Sequence, residues 1–225
     1  MPMTAWDGTT VHLTRSEQEQ FVQLLRSLDA SDWASPSLCE RWSVKDVVVH
    51  TAAHIHNRQA DKALIRQYTE GSTRDLVDYL ESAPEELPSS PRKERRLFAE
   101  VQRGELMVHQ QDVRRALGAS RDIPFDEAAA VLSFGLQPIG SLGLAFGRER
   151  VGRLRLVATD GDWSWGSGRE VRGNAETLLM ATAGRESAVA ELDGPGVGVL
   201  VDRMHNPTQT LKDLIAYSDA ATAPE

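Results

Sequence analysis

Along residues 14–28 the apolar positions Phe21, Leu24, Leu25 and Leu28 recur at helical spacing, with acidic residues in the first turn. A second helix is predicted to start at Ser43, because SVKD ahead of an apolar run has the form of a capping box, with Asp46 in place of the usual Glu. It runs through Val47, Val48, His50, Thr51 and His54 toward Ile65. Leu76, Val77 and Leu80 share one face of a third helix over residues 73–82. Three prolines and two serines make residues 83–91 a loop. A fourth helix is expected over residues 93–117, with Gly118 at its C′ position. Four helices joined by loops suggest a bundle whose facing side chains build a site.

The pattern changes in the second half. Residues 128–147 hold no charge and predict a buried helix kinked or broken near Pro138. Period-2 alternation over residues 153–158, at Trp163 to Trp165 and over 170–173 predicts three short strands around a Thr-Asp-Gly-Asp turn. Residues 175–183 read as a short helix closed by Gly184. Residues 188–192 and 197–200 read as further strands, the last with the alternative of opening a helix. The fold class is therefore α+β, with a helix bundle over residues 1–149 and a small α+β unit over 150–225. The stretch 208–217 is expected to be an amphipathic helix docked on the body, and the last residues to fray.

Composition narrows the function. With 40% hydrophobic and 26% charged residues the chain is globular, and a net charge of −8 disfavours nucleic acid and anionic membranes as partners. The basic run at 92–96 then reads as a solvated face. Only twelve of the twenty positions in 128–147 are apolar, too few for a membrane span. The N-terminus has no basic region followed by an apolar stretch, so the protein is expected to be cytoplasmic. A single cysteine, Cys39, excludes a disulfide framework and is expected to be inert.

The chemistry concentrates in the helices. Glu105 and His109 are four residues apart and share a helical face, and His50 follows an apolar run within another helix. Two imidazoles and one carboxylate suit a catalytic zinc with one open position. His54, four residues after His50, is an alternative donor, and His56 is expected to point away and be exposed. The other reading of these residues is a surface Glu–His pair and a hydrogen-bonded bundle histidine. Asp112 is a candidate acceptor for an imidazole N–H, or a partner of Arg114 or Arg115. Neither a His-Glu-x-x-His motif nor a Gly-x-Ser-x-Gly elbow occurs.

Trp33 together with residues 36–50 (PSLCERWSVKDVVVH) resembles the opening of the DinB-like, mycothiol-dependent maleylpyruvate isomerase family. Residues 103–115 (RGELMVHQQDVRR) are similar to that family's second metal-ligand segment. Residues 156–163 (LVATDGDW), 171–173 and 183–185 resemble its C-terminal domain, which is sterol-carrier-protein-like. The resemblance implies His50, Glu105 and His109 as ligands of a divalent metal, usually zinc, in preference to His54. It implies mycothiol as a thiol cosubstrate and a small electrophile as substrate. The expected activity is thiol-dependent cis–trans isomerisation or S-transfer, with Asp112 and Arg185 as candidate catalytic residues. A non-catalytic metal-binding sensor or interaction protein and a metal-dependent hydrolase are the alternatives. Neither the electrophile nor the oligomeric state is legible in the sequence.

Overall fold

Ser43 starts its helix in the predicted way: Asp46 N–H donates to Ser43 Oγ (3.2 Å), and Ser43 N–H donates to Asp46 Oδ2 (2.9 Å). The computed structural model describes residues 9–58, 60–84, 92–119, 121–138, 147–207 and 212. These fall into two compact units, one ending at Ala119 and the other beginning at Ser120. The first unit is helical: α1 (Thr9–Ser27), α2 (Ala30–Ala34), α3 (Val44–Ile55), α4 (Lys62–Glu70), α5 (Thr73–Glu81) and α6 (Arg92–Ala116). The four expected helices correspond to α1, α3, α5 and α6.

Two helices of this unit depart from expectation. The helix from Ser43 ends at Ile55, because Asn57 takes a left-handed backbone (φ 55°) and Asp61 caps a new helix by accepting from Leu64 N–H. The short α2 is opened by a second capping box, between Asp29 and Asp32. Pro84 ends the described part of the loop after α5.

α1 packs on α5 and α6, and α3 packs on α4, α5 and α6. Phe21 and Leu25 of α1, Val47 and Val48 of α3, Leu76 and Leu80 of α5, and Leu106 and Val113 of α6 form one apolar core. Helix α6 is unusual in what else it buries: Gln102, Arg103, Glu105, His109, Gln110, Gln111 and Asp112. Part of this polarity ties helices together. The Gln102 amide donates to Ile55 O at the end of α3 (2.5 Å), and Gln110 donates to Glu17 O on α1 (3.2 Å). A carbonyl at a helix C-terminus has no partner within its own helix, so the Gln102 amide replaces water at Ile55. Glu105, His109 and Asp112 have another use.

The second unit comprises α7 (Phe125–Gly135), α8 (Gly147–Val151), β1 (Arg155–Ala158), β2 (Ser164–Gly166), β3 (Glu170–Gly173), α9 (Ala175–Thr182), a 3-10 helix (Glu186–Glu191) and α10 (Val197–His205). The sheet order is β2-β1-β3, with β1 antiparallel to β2 and parallel to β3. The class is α+β. Leu156 pairs in register with Trp165 and Val171, and with Leu178 and Leu179 of α9 it lies in the interior of this unit.

The compact units divide at 119/120, earlier than the expected 149/150, because α7 is bound to the sheet side. It packs on α9, Trp163 Nε1 donates to Ser133 Oγ (2.9 Å), and the Phe125 ring lies where a side chain at Gly161 would stand. Residues 186–191 form a 3-10 helix where a strand was expected. Asp193 pairs with the sheet edge through two backbone hydrogen bonds with Arg172, and Gly196 N–H donates to Glu170 O (2.8 Å). The apolar run at 197–200 opens α10 rather than a strand. The break expected near Pro138 and the helix expected at 208–217 lie largely outside the described residues. Among those residues no helix is long and apolar enough to cross a membrane.

Candidate metal centre

Packing of α3 against α6 brings His50 to the face of α6 that carries Glu105 and His109. One ligand atom from each of the three lies within 4.8 Å of the others. Glu105 Oε2 stands 3.6 Å from His50 Nε2 and 3.3 Å from His109 Nε2. The two imidazole rings meet edge-on, with centroids 4.9 Å apart and planes at 76°. His50 ends up there because the apolar positions Val47 and Val48 set the rotation of α3, and Glu105 and His109 share a face of α6 by their spacing.

Glu105 Oε2 and His50 Nδ1 are buried polar atoms with no hydrogen-bond partner among the described residues. A buried carboxylate oxygen left in that state is costly unless a cation meets it. Two imidazole nitrogens and a carboxylate are also a chemically suitable donor set for zinc or a similar divalent ion, so the residues present fit such a group.

The three donors differ in their electrostatics. Burial holds the His50 imidazole down to a pKa of about 4, against the raising influence of Glu105, so it is neutral at pH 7 and offers a lone pair. Burial raises Glu105, but the neighbouring His54, His109 and His50 imidazoles outweigh it and hold the carboxyl well below its usual range. Burial likewise depresses His109, and hydrogen bonds with Asp112, Cys39 and Glu105 reverse this and lift it well above the ordinary imidazole value. The site is built to collect positive charge on one side of an ionised carboxylate.

Asp112 lies three residues after His109 and is fully buried; its Oδ2 accepts from His109 Nδ1 at 2.9 Å. A carboxylate only accepts, so Nδ1 carries the proton and Nε2 is turned toward His50 and Glu105. His54 borders the cluster, with Nε2 4.0 Å from Glu105 Oε1, but it is not among the three converging donors. His56 does point away. It is half-buried rather than exposed, stacked on Tyr79 at 3.9 Å with Nε2 2.8 Å from Tyr79 O. Arg185 belongs to the second unit, where Nη1 donates to Ala183 O (2.7 Å). Its catalytic role rests on the resemblance.

Two neighbours of the site were read otherwise from the sequence, Cys39 as inert and Trp42 as a core or rim residue. Trp42 places its ring 5.0 Å from His50. Cys39 Sγ donates to Asp112 Oδ2 at 3.1 Å and lies 3.9 Å from His109 Nδ1. Both come from the loop before α3, where no periodicity exists to indicate a direction. The one available signal was that a cysteine and a tryptophan stand within a dozen residues of His50.

The first unit is thus a helical domain with a two-histidine, one-carboxylate cluster between α3 and α6. Residues 14–83 match the model of the mycothiol maleylpyruvate isomerase N-terminal domain. The matched stretch includes His50, whereas Glu105 and His109 lie beyond it. Over 83% of this chain and 92% of the other, the fold matches the crystal structure of the mycothiol-dependent maleylpyruvate isomerase, with a TM-score of 0.59 and 15% identity. The crystal structure of a mutant of the mycothiol-dependent maleylpyruvate isomerase matches more loosely, with the same coverage, a TM-score of 0.37 and 12% identity. No curated protein sequence matches the chain.

Proposed function

We propose that the protein is a metal-dependent enzyme that uses a low-molecular-weight thiol, of the mycothiol class, to isomerise a small electrophile or to transfer sulfur to it. The observation that carries this reading is the convergence of His50, Glu105 and His109 on one point, with Glu105 Oε2 buried and unsatisfied. The family match and the shared fold support the thiol and the isomerase chemistry.

A divalent cation, zinc by its fit to the donor set, supplies Lewis acidity there and lets a neighbouring thiol ionise near neutral pH. The protein does the rest. His50 and His109 present Nε2 atoms, and Asp112 holds the Nδ1 proton so that the His109 ring cannot turn over. Glu105 contributes the single negative charge, so a dication held by this set would keep a net positive charge. Burial of Glu105, His109 and Asp112 excludes water from the ligand side.

In isomerisation, the thiol sulfur forms a bond to one carbon of a carbonyl-activated double bond, whose electron pair moves onto the carbonyl oxygen. Rotation about the resulting single bond and expulsion of the thiol return the trans isomer, with no net change in the thiol. S-transfer differs in that the new C–S bond persists.

The test combines metal analysis with thiol-dependent turnover. Wild type should retain about one equivalent of zinc, and thiol-dependent cis–trans isomerisation of maleylpyruvate should be detectable by NMR. His109→Ala should lose metal and turnover while keeping its helical circular dichroism. Adding thiol to the cobalt-substituted protein should produce a thiolate-to-metal charge-transfer band. Turnover in a metal-free His109→Ala protein would overturn the mechanism. A metal that gives no band with thiol would indicate a structural ion.

A further inference from the structure

The loop between α2 and α3 is pinned closed. Val44 N–H donates to Ser35 O and Ser37 N–H to Trp42 O, both at 2.9 Å. Inside the loop, Cys39 N–H donates to Ser37 Oγ (3.1 Å) and Trp42 N–H to Cys39 O (3.1 Å). Arg41 turns the chain with a left-handed backbone (φ 67°). A loop so constrained delivers the residues at its tip to a fixed place.

That place is Asp112. Leu38 N–H donates to Asp112 O (3.3 Å), and the adjacent Cys39 thiol donates to Asp112 Oδ2 (3.1 Å). Consecutive residues of the loop therefore hold the backbone and the side chain of one aspartate. The oxygen that Cys39 binds is the oxygen that accepts from His109 Nδ1. An sp² carboxylate oxygen has two lone pairs, so it can accept from both donors at once.

We infer that Cys39 is a positioning residue for the metal-binding imidazole: its thiol fixes the Asp112 carboxylate in the orientation that holds the His109 Nδ1 proton. The inference rests on the metal-dependent reading above and extends it to a residue outside the cluster. Cys39 lies on the Nδ1 side of His109, away from the Nε2 that faces His50 and Glu105, so it serves the site through Asp112 rather than as a nucleophile. The same loop ends in Ser43, the cap of the helix that carries His50. It thereby references both ligand-bearing helices to each other.

Partners one step beyond a ligand are typically worth about 10–100-fold in metal affinity, and a group one bond further out should be worth about three- to tenfold. The experiment is competition for zinc against a chelator, with wild type, Cys39→Ala, Cys39→Ser, Asp112→Asn and the double variant. Cys39→Val, close in volume, stands in if alanine disturbs the loop. Cys39→Ala should weaken zinc binding about three- to tenfold, and Cys39→Ser, which keeps a donor, should restore most of it. In the Asp112→Asn background, Cys39→Ala should add no further loss. Full affinity in Cys39→Ala and Cys39→Val would overturn the inference and leave the proposed function intact, as would an equal loss with and without Asp112. Absence of zinc binding in wild type would instead remove the metal-dependent reading, and the inference with it.

Discussion

His109 and Asp112 are joined across one turn of α6 by a 2.9 Å hydrogen bond from Nδ1 to Oδ2, so the imidazole and the acceptor that sets its tautomer come from one rigid element. Asp112→Asn removes the obligate acceptor and frees the ring to turn. We expect zinc affinity to fall about 10–100-fold with little change in far-UV circular dichroism. Isothermal titration of the metal-free protein checks it.

Metal removal should be visible as stability. A ligand present at 100 times its Kd stabilises the native state by about 2.7 kcal/mol, provided that it binds only that state. Zinc added at that ratio should therefore raise the denaturation midpoint of wild type, and a chelator should return it. Glu105→Ala, which deletes the carboxylate between His50 and His109, should show neither effect. Chemical denaturation with and without zinc decides it.

Ser43 caps the helix on which His50 rides. Ser43→Ala should cost about 1 kcal/mol of stability, the usual loss for a capping hydroxyl. The Asp46 N–H then loses its acceptor, and the first turn of α3 should show faster amide exchange by NMR.

In the second unit, a Cβ at Gly161 would stand 2.4 Å from atoms of the Phe125 ring. Gly161→Ala should therefore destabilise by about 1–3 kcal/mol through overpacking. Phe125→Ala in the same chain should absorb most of that cost, giving a non-additive cycle in denaturant titrations.

Much of this architecture was legible without coordinates, and for identifiable reasons. Helices α1 and α5 were visible because their apolar residues recur on one face, α3 from its capping box, α6 from a stretch closed by Gly118, and β3 because Glu170 to Gly173 alternates between two faces. Glu105 and His109 were legible as a pair because helical geometry alone makes residues four apart neighbours. The end of α3 was not legible, since a left-handed Asn57 interrupts a pattern that the apolar spacing continues into α4. The 3-10 helix over Glu186–Glu191 was missed because short apolar alternation fits a strand equally well.

The sequence by itself determined local matters: which segments are helical, which faces are apolar, and which donors of one helix point the same way. Only the tertiary structure decided that His50 meets Glu105 Oε2 from another helix, that His54 stays at the margin, and that Cys39 shares an oxygen of Asp112 with His109. The physical reason is range. Backbone periodicity fixes directions over a few residues, whereas contacts between residues 39, 50 and 112 depend on how buried apolar surfaces of separate elements settle against one another.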